Sequence, residues 1–182
     1  MELFIYLILF IIVFFGSLGI VYVLIYNKLQ GFIIRINESE SIIDESLRIR
    51  YDLIISGKNI IQDNIDNKFD LFEELENCKK KNISNFEFDR KSTECINLIF
   101  QLKKDYYSLD SNQSFKELIS EIKRSEEKII SAKTFYNKYT SNLNDYVRKF
   151  PSNIIAKIHG IKEKNYFDNK NMNDDNINDF KI

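Results

Sequence analysis

The sequence has little of what several common protein classes need. Proline occurs once, glycine five times and cysteine twice among 182 residues, and tryptophan does not occur. So little proline and glycine excludes a collagen-like chain and disfavours a β-sheet protein rich in tight turns. With 26 Lys and Arg against 27 Asp and Glu, the chain lacks the basic excess of a nucleic-acid-binding protein. We therefore expect no nucleic acid among its partners.

Motifs for catalysis and for cofactor binding are also lacking. His159 is the single histidine, and with Cys78 and Cys95 it offers no recognised zinc-ligand spacing. The two cysteines flank a predicted helix–helix turn at positions that do not lie opposite each other, which favours reduced thiols over a disulfide. The sequence has no glycine-rich phosphate loop, serine nucleophile elbow or HExxH motif. We expect no cofactor, no metal site and no enzymatic activity.

One long hydrophobic run opens the chain. From Leu3 to Tyr26 there are 24 residues without a charge. A helix of that length covers roughly 36 Å, which exceeds the hydrocarbon core of a bilayer at about 30 Å. A cleaved signal peptide is the main alternative, but it needs a basic start and a shorter apolar stretch. After a flank of residues 1–2, we predict an uncleaved transmembrane helix over residues 3–26, with Tyr22 and Tyr26 at the interface.

The charges beside this run indicate its orientation. Lys28 and Arg35 follow the run, whereas Glu2 is the only charged side chain before it. The positive-inside rule then places the N-terminus outside and the larger C-terminal part in the cytoplasm. We expect a single-pass protein of the cell membrane, with the lipid bilayer as one of its partners.

The chain beyond the run shows helical periodicity. Seam residues alternate steps of three and four, which is the a/d pattern of coiled coils. These seam positions are Leu29, Ile33, Ile36, Glu40, Ile43, Leu47, Arg50, Ile54, Gly57 and Ile61. No proline separates the seam from the apolar run, so we predict one continuous helix that extends to about Asn77. Glu40 and Arg50 are polar breaks in its seam.

Two further amphipathic helices follow, each after a short loop. Ser84 with Glu87, and Ser114 with Glu117, fit capping boxes at their starts. The stripe of the second helix is Phe88, Ser92, Cys95, Ile99, Leu102 and Tyr106. The stripe of the third helix is Phe115, Leu118, Ile122, Ser125, Ile129, Ala132, Tyr136, Tyr139, Leu143, Tyr146 and Phe150. Pro151 ends the third helix.

These patterns predict an all-α fold. The N-terminal transmembrane helix continues into an elongated antiparallel up-and-down bundle over residues 27–162, because short loops between long helices make neighbours antiparallel. The bundle has three long helices and a short fourth, Asn153–His159, which stops at Gly160. Residues 163–182 are rich in Asn and Asp, and we predict that most of them are disordered. The seams can be satisfied within one chain or between chains, so a homo-oligomer stays open.

Two segments of the chain resemble the LemA family. From Ile43 to Ile54, an Ile-Asp pair precedes Leu, basic residues and Asp-Leu-Ile, as in the first helix of that family. The third helix and the turn after it fit the family pattern E..I..A..FYN......N.Y...FP.N..A...G. The matching residues are Glu126, Ile129, Ala132, Phe135, Tyr136, Asn137, Asn144, Tyr146, Phe150, Pro151, Asn153, Ala156 and Gly160. The resemblance implies a membrane-anchored helical bundle and brings no reaction with it.

The candidate interaction residues are of two kinds. Asp44, Arg48 and Asp52 lie on one helix face, four residues apart. They form either a charged interaction ridge or an ordinary ladder of exposed ion pairs, each worth about 0.3–0.5 kcal/mol. The others are the family-motif residues Phe135, Tyr136, Asn137, Asn144, Tyr146, Phe150, Pro151 and Asn153.

Three functions fit these observations. The leading hypothesis is a non-enzymatic interaction or scaffold module with a protein partner, because the chain combines an anchor with seamed helices. A signalling component is the first alternative, since a helix that continues from the membrane can transmit a displacement. An accessory subunit of a membrane protease or envelope-stress system is the second, and only the resemblance to the LemA family implies it.

Overall fold

Helices make up most of the part of the chain that the structure describes. The computed structural model describes residues 2–65, 70–81 and 83–167, and these ranges contain no strand. Their six helices are α1 (Glu2–Asn64), α2 (Asp70–Lys80), α3 (Asn85–Asp105), α4 (Tyr107–Ser111), α5 (Gln113–Arg148) and α6 (Ser152–Ile158). The predicted all-α fold, with an apolar N-terminal helix and a helical bundle, is confirmed. The helices number more than the four predicted, because the first one ends early and α4 occupies the expected loop at 108–114.

Helix α1 joins the apolar N-terminal segment to the bundle without a break. It contains 63 residues, and the predicted continuity beyond residue 26 is confirmed. The predicted end at about Asn77 is wrong, since α1 ends at Asn64 within a stretch rich in Asp and Asn. There the Asn64 side chain donates a hydrogen bond to the carbonyl of Ile60 at 2.7 Å. Such side chains compete with the backbone for hydrogen bonds and weaken a helix.

The described residues form two compact units, each with its own apolar core. The first unit comprises residues 2–37 and 136–166, and the second comprises residue 167 and the described part of 38–135. The core of the first unit consists of Leu29, Phe32, Ile36, Leu143, Ile155 and Ala156. The larger core of the second unit includes Ile54, Ile61, Phe72, Leu75, Ile96, Ile99, Leu109, Phe115 and Ile122.

The seam of α1 is buried along most of its length. Every predicted seam position from Ile43 to Ile61 is buried, including the polar break at Arg50. The prediction is wrong at Glu40, which is exposed, while the neighbouring Ser39 is fully buried instead. A small hydroxyl loses less hydration on burial than a carboxylate does, so the helix turns Ser39 inward.

Gly57 allows close packing against α1 in the middle of its buried seam. The helix continues through Ile55 to Lys58 without a break. A Cβ atom on Gly57 would lie 3.0 Å from Leu118 Cδ2 and 3.1 Å from Ile99 Cδ1. The missing side chain therefore leaves room for α3 and α5 side chains against α1.

The stripes of α3 and α5 are also confirmed, with one exception. Their predicted residues are buried or half-buried except Phe150, whose side chain is 79% exposed. The prediction for Phe150 is wrong because α5 ends at Arg148, so the helical spacing no longer applies two residues later. Pro151 follows, as predicted for a helix end, and is exposed.

Of the two predicted capping boxes, the one at Ser84 is confirmed as far as the N-cap of α3, and the one at Ser114 is wrong. The Ser84 hydroxyl accepts a hydrogen bond from the backbone N–H of Glu87 at 3.3 Å. Helix α5 starts one residue before Ser114, at Gln113. The Asn112 side chain accepts a hydrogen bond from the N–H of Phe115 at 3.1 Å, which places the cap there.

Helix α6 ends as predicted, at a glycine. Gly160 has φ +64°, the left-handed conformation that glycine adopts at no steric cost. Its N–H bonds to the carbonyl of Lys157 at 3.2 Å, and the N–H of Ile161 bonds to the carbonyl of Ala156 at 2.9 Å. This pair of bonds is a Schellman motif, which satisfies the last carbonyl groups of the helix.

The start of the predicted disordered tail is packed. Residues 163–167 form no helix, but Phe167 lies 6.3 Å from Phe86, ring centre to ring centre. Lys164 makes two backbone hydrogen bonds to the Asn144 side chain. These contacts offset the polar composition of residues 163–167, and the prediction that most of residues 163–182 are disordered rests on the remainder of the tail. Residues 168–182 lie outside the described residues.

Candidate functional site

Asp44, Arg48 and Asp52 all lie on the exposed face of α1. The Asp44 carboxylate accepts a hydrogen bond from the Asn85 side chain at the start of α3. In the described part of the chain, Arg48 forms no ion pair with either aspartate, so the predicted ladder is wrong. Asp44 has a partner on another helix instead, and Arg48 keeps its guanidinium near the surface.

A groove of about 320 Å³ lies beside Asp44 and Arg48 in the second unit. It is open to solvent, and α1, α2, α3 and the loop before α3 contribute to it. Its lining residues are Asp44, Leu47, Arg48, Tyr51, Cys78, Lys79, Ile83, Asn85 and Phe88. Asp52 is not among them. The groove therefore combines two of the three predicted ridge residues with apolar side chains from other elements.

Aromatic and cationic side chains meet inside this groove. The Lys79 ammonium lies 3.6 Å from the centre of the Tyr51 ring, which is a cation–π contact. The Tyr51 and Phe88 rings lie 6.1 Å apart, centre to centre. Partial burial raises the pKa of Tyr51, and the neighbouring Glu76 and Asp52 raise it further. The phenol therefore stays neutral, and the groove carries positive charge at Arg48 and Lys79 beside the negative charge of Asp44.

Arg50 is the most deeply buried charged residue of the second unit that the structure describes, at 2% exposure. Its Nη1 donates hydrogen bonds to Asp89 Oδ1 at 2.9 Å and to Thr93 Oγ1 at 3.2 Å. Nη2 lies 4.0 Å from the Glu126 carboxylate. Lys133 pairs with the other oxygen of Asp89. This buried cluster joins α1, α3 and α5 through charges of both signs.

Burial lowers the pKa of Arg50, while Asp89 and Glu126 act in the opposite direction. The guanidinium remains charged, because its ordinary pKa lies far above neutral pH. Three buried side-chain atoms of the second unit lack a hydrogen-bond partner among the described residues, namely Arg50 Nε, Ser46 Oγ and Ser125 Oγ. The core of the second unit thus contains polar groups that are only partly satisfied.

Sequence reasoning found Arg50 but missed its partners. A buried arginine requires a carboxylate from a facing helix, and Asp89 lies three residues before Ser92 in the predicted stripe of α3. Residues three apart lie on the same face of a helix. This spacing therefore marked Asp89 in the sequence as a candidate partner of Arg50. Lys133 follows the buried Ala132 and gave no signal of its own.

The family-motif residue Asn144 holds the segment that follows α6. It is 6% exposed, and its amide donates to the carbonyl of Lys164 at 2.8 Å. Its side-chain oxygen accepts from the Lys164 N–H at 2.9 Å. The Tyr136 hydroxyl donates to the carbonyl of Asn165 at 3.2 Å. These two motif residues therefore anchor residues 164–165 to α5.

The remaining motif residues do not converge on one site. Tyr146 packs its ring against Phe32 at 5.1 Å in the core of the first unit. Asn137 is half-buried, and Phe135 is 38% exposed. Phe150, Pro151 and Asn153 are exposed.

The two cysteines are free thiols, as predicted. Cys95 is fully buried, and its Sγ lies 3.5 Å from the carbonyl oxygen of Leu71. Burial raises the pKa of Cys95 to about 12, and the charge of Glu94 adds to this. The thiolate is the reactive form, so Cys95 is inert at neutral pH. Cys78 is half-buried at the edge of the groove.

His159 lies at the end of α6 and contacts the apolar helix. Its Nε2 and the Tyr22 hydroxyl share a hydrogen bond of 2.6 Å, and its ring lies 4.4 Å from that of Tyr26. In residues 2–65, 70–81 and 83–167, no group of three or more His, Cys, Asp or Glu side chains is placed to hold a metal ion.

Helix α1 is the one described helix that is long and apolar enough to cross a membrane. Its apolar N-terminal side chains are exposed.

The comparisons with known proteins agree with the fold. The comparison with curated proteins gives no match. The sequence model of the LemA family matches residues 39–179, which is more than half of the chain. That region contains the Ile43–Ile54 segment, the groove, the Arg50 cluster and the motif residues of α5. The chain therefore belongs to the LemA family.

Proposed function

We propose that this protein is a single-pass membrane protein whose helical bundle binds a protein partner at the membrane and catalyses no reaction. The observation that carries the proposal is the continuity of α1. The same helix contains the exposed apolar segment and the Asp44–Arg48 edge of the groove. A partner that docks in the groove is thereby held at the membrane.

The anchor in this proposal is the segment over residues 3–26, and the bundle lies in the cytoplasm. Its support is the long apolar part of α1 and the positions of Lys28 and Arg35 after it. Positive charges of this kind are retained on the cytoplasmic side of a membrane helix.

The groove determines the chemistry of the partner. Arg48 and Lys79 offer two cations, and Leu47, Ile83 and Phe88 offer apolar surface around them. A protein segment with an acidic side chain next to an apolar one complements this arrangement. Charge–charge contacts at such a rim act mainly on the rate of association and on specificity.

Site-specific photo-cross-linking in native membranes tests the proposal. A photoreactive amino acid replaces Asp44 at the edge of the groove in one variant and Lys123 in the control, which is an exposed position of α5 in the same unit. We expect one discrete protein adduct from position 44 and none from position 123. Lys79→Glu, which reverses the charge of one of the two cations, should weaken the adduct from position 44. Equal adducts from both positions, or none from position 44, would contradict binding in the groove.

One observation favours signalling as a second function. In the core of the second unit, Ser46 Oγ, Ser125 Oγ and Arg50 Nε have no hydrogen-bond partner among the described residues, and a different packing of the helices could satisfy them. A core with two nearly equal packings is the element that a switch needs. Hydrogen exchange resolved at residues 46–50 and 125 should then show two populations. A single, uniformly protected population would count against signalling.

A further inference from the structure

The outer side of α6 carries large apolar side chains in contact with solvent. Ile154 and Ile158 lie four residues apart on α6 and are 51% and 65% exposed, and Phe150 in the turn before α6 is 79% exposed. The inner side is buried through Ile155 and Ala156 in the core of the first unit. Apolar area exposed to water is unfavourable relative to buried apolar area. Binding of an occupant that covers the outer side of α6 therefore lowers the free energy.

The contact of His159 with α1 gives the level of α6 along the apolar helix. His159 is hydrogen-bonded to Tyr22 and packs on Tyr26, and all three residues belong to the first unit. The 20 residues from Leu3 to Tyr22 cover roughly 30 Å of helix, which is the thickness of the hydrocarbon core. The end of α6 is thus level with the point where α1 leaves the hydrocarbon.

The charge around α6 complements an anionic surface. Residues 148–164 contain five basic side chains and one acidic side chain, Glu163, which pairs with Arg148. The whole chain carries a net charge of −1, so this segment departs from the average. Lys157 and Lys162 line an open groove of about 600 Å³ next to Gly160, together with Glu163, whose charge is offset by Arg148. Lysines beside an apolar helix face are typical of segments that lie in the headgroup region of a bilayer.

We propose that α6 is a second membrane contact, in which Phe150, Ile154 and Ile158 enter the bilayer interface while Lys157 and Lys162 bind anionic phospholipid headgroups. This inference rests on the proposed anchor at residues 3–26. The bilayer is the occupant that the geometry favours, because the apolar side chains, the basic groove and the exit point of α1 all belong to one unit.

Depth-dependent quenching in vesicles tests this contact. The full chain with Cys78→Ser is reconstituted in phosphatidylcholine vesicles that contain one quarter phosphatidylglycerol. A polarity-sensitive fluorophore is attached at Ile158→Cys. The vesicles also contain lipids with a quencher near the glycerol, and the loss of fluorescence that these lipids cause is measured. We expect a blue shift of emission and loss of fluorescence at position 158. The exposed position Lys123→Cys in α5 should show neither.

A third position separates this inference from the anchor itself. Leu18→Cys lies within the apolar part of α1, so quenching there reports the anchor. Quenching at position 18 without quenching at position 158 would overturn the α6 contact and leave the anchor standing. No quenching at either position would overturn both. Quenching at position 18, with position 158 instead cross-linked to a protein in native membranes, would assign the face to a protein and also overturn the inference.

The headgroup part of the proposal has its own test. Lys157→Gln with Lys162→Gln should reduce quenching at position 158 in anionic vesicles to the level seen in pure phosphatidylcholine. Asp145→Asn, which alters charge on exposed α5 in the same unit, serves as the control and should leave the lipid dependence in place. Equal quenching with and without anionic lipid in the unmodified lysine background would contradict headgroup binding.

Discussion

Arg50 keeps a full positive charge in the core of the second unit, and Asp89 is its nearest counter-charge. Their atoms lie 2.9 Å apart, and both residues are buried. A buried ion pair adds little net stability, because the loss of hydration offsets the attraction between the charges. Removal of one partner is costly by comparison, since the other charge stays buried and unpaired.

Asp89→Ala should therefore lower the free energy of unfolding by about 3 kcal/mol. The double variant Arg50→Met with Asp89→Ala should recover most of this loss, because neither charge is then left in the core. Urea unfolding of the full chain in detergent, followed by circular dichroism, measures both. Glu45→Ala removes only the exposed pair with Lys128 and should change the unfolding free energy little. If Asp89→Ala is as mild as Glu45→Ala, the charge of Arg50 is not desolvated.

The two cysteines should differ in reactivity. A thiol reagent at pH 8 should modify Cys78 in the folded protein and both thiols in urea. Burial raises the pKa of Cys95 to about 12, so a change from pH 8 to pH 10 should not activate it in the folded state. A raised pKa keeps the proton on the Cys95 sulfur as the pH rises, so the reactive thiolate does not form. Cys78→Ser should abolish native labelling, and any native labelling that remains would show that Cys95 is accessible.

Asp89 and Arg50 also show what the sequence can predict at the scale of residues. The break at Arg50 was visible, since an arginine stood in an apolar seam. The pairing itself was not, because the spacing of Asp89 from Ser92 shows only that both lie on one face of α3, and the choice of partner depends on how α1 and α3 align. The same reason explains why Asp44 pairs with Asn85 rather than with Arg48.

Helix boundaries depend on a few side chains at the ends of each element. The prediction was correct at Ser84, where the loop before α3 exists as expected. It was wrong at Ser114, because α4 fills most of the expected loop and shifts the start of α5 to Gln113. The predicted end of α1 was wrong for a related reason, since periodic apolar residues beyond Asn64 belong to a separate helix, α2. Periodicity identifies helix faces well and helix ends poorly.

Cap variants test where α3 and α5 begin. Ser84→Ala and Asn112→Ala should each lower the free energy of unfolding by about 1 kcal/mol, since each leaves a backbone N–H without its acceptor. Ser114→Ala should have little effect, because its side chain is exposed inside the first turn. Thermal unfolding of the three variants in the same detergent provides the comparison. A larger loss for Ser114→Ala than for Asn112→Ala would restore the original prediction for the start of α5.

For the molecule as a whole, the sequence predicted the candidate site only in part. Asp44 and Arg48 were recognised because they lie four residues apart on α1. Lys79, Ile83 and Phe88 come from α2, the following loop and α3, and only folding brings them to the same groove. Residues distant in sequence share a surface through tertiary packing, which helical periodicity does not encode.

The orientation of the chain is the prediction that determines where a partner is sought. Single cysteines in a Cys78→Ser background report it, since Cys95 is buried and inert. On intact cells, a membrane-impermeant maleimide should label Glu2→Cys, and it should reach Lys123→Cys only after the membrane is permeabilised. Lys28→Glu with Arg35→Glu should produce a mixed orientation, because it removes the positive charges from which the positive-inside rule predicts a cytoplasmic flank. Labelling of Lys123→Cys on intact cells would invert the orientation and move the search for a partner to the cell envelope.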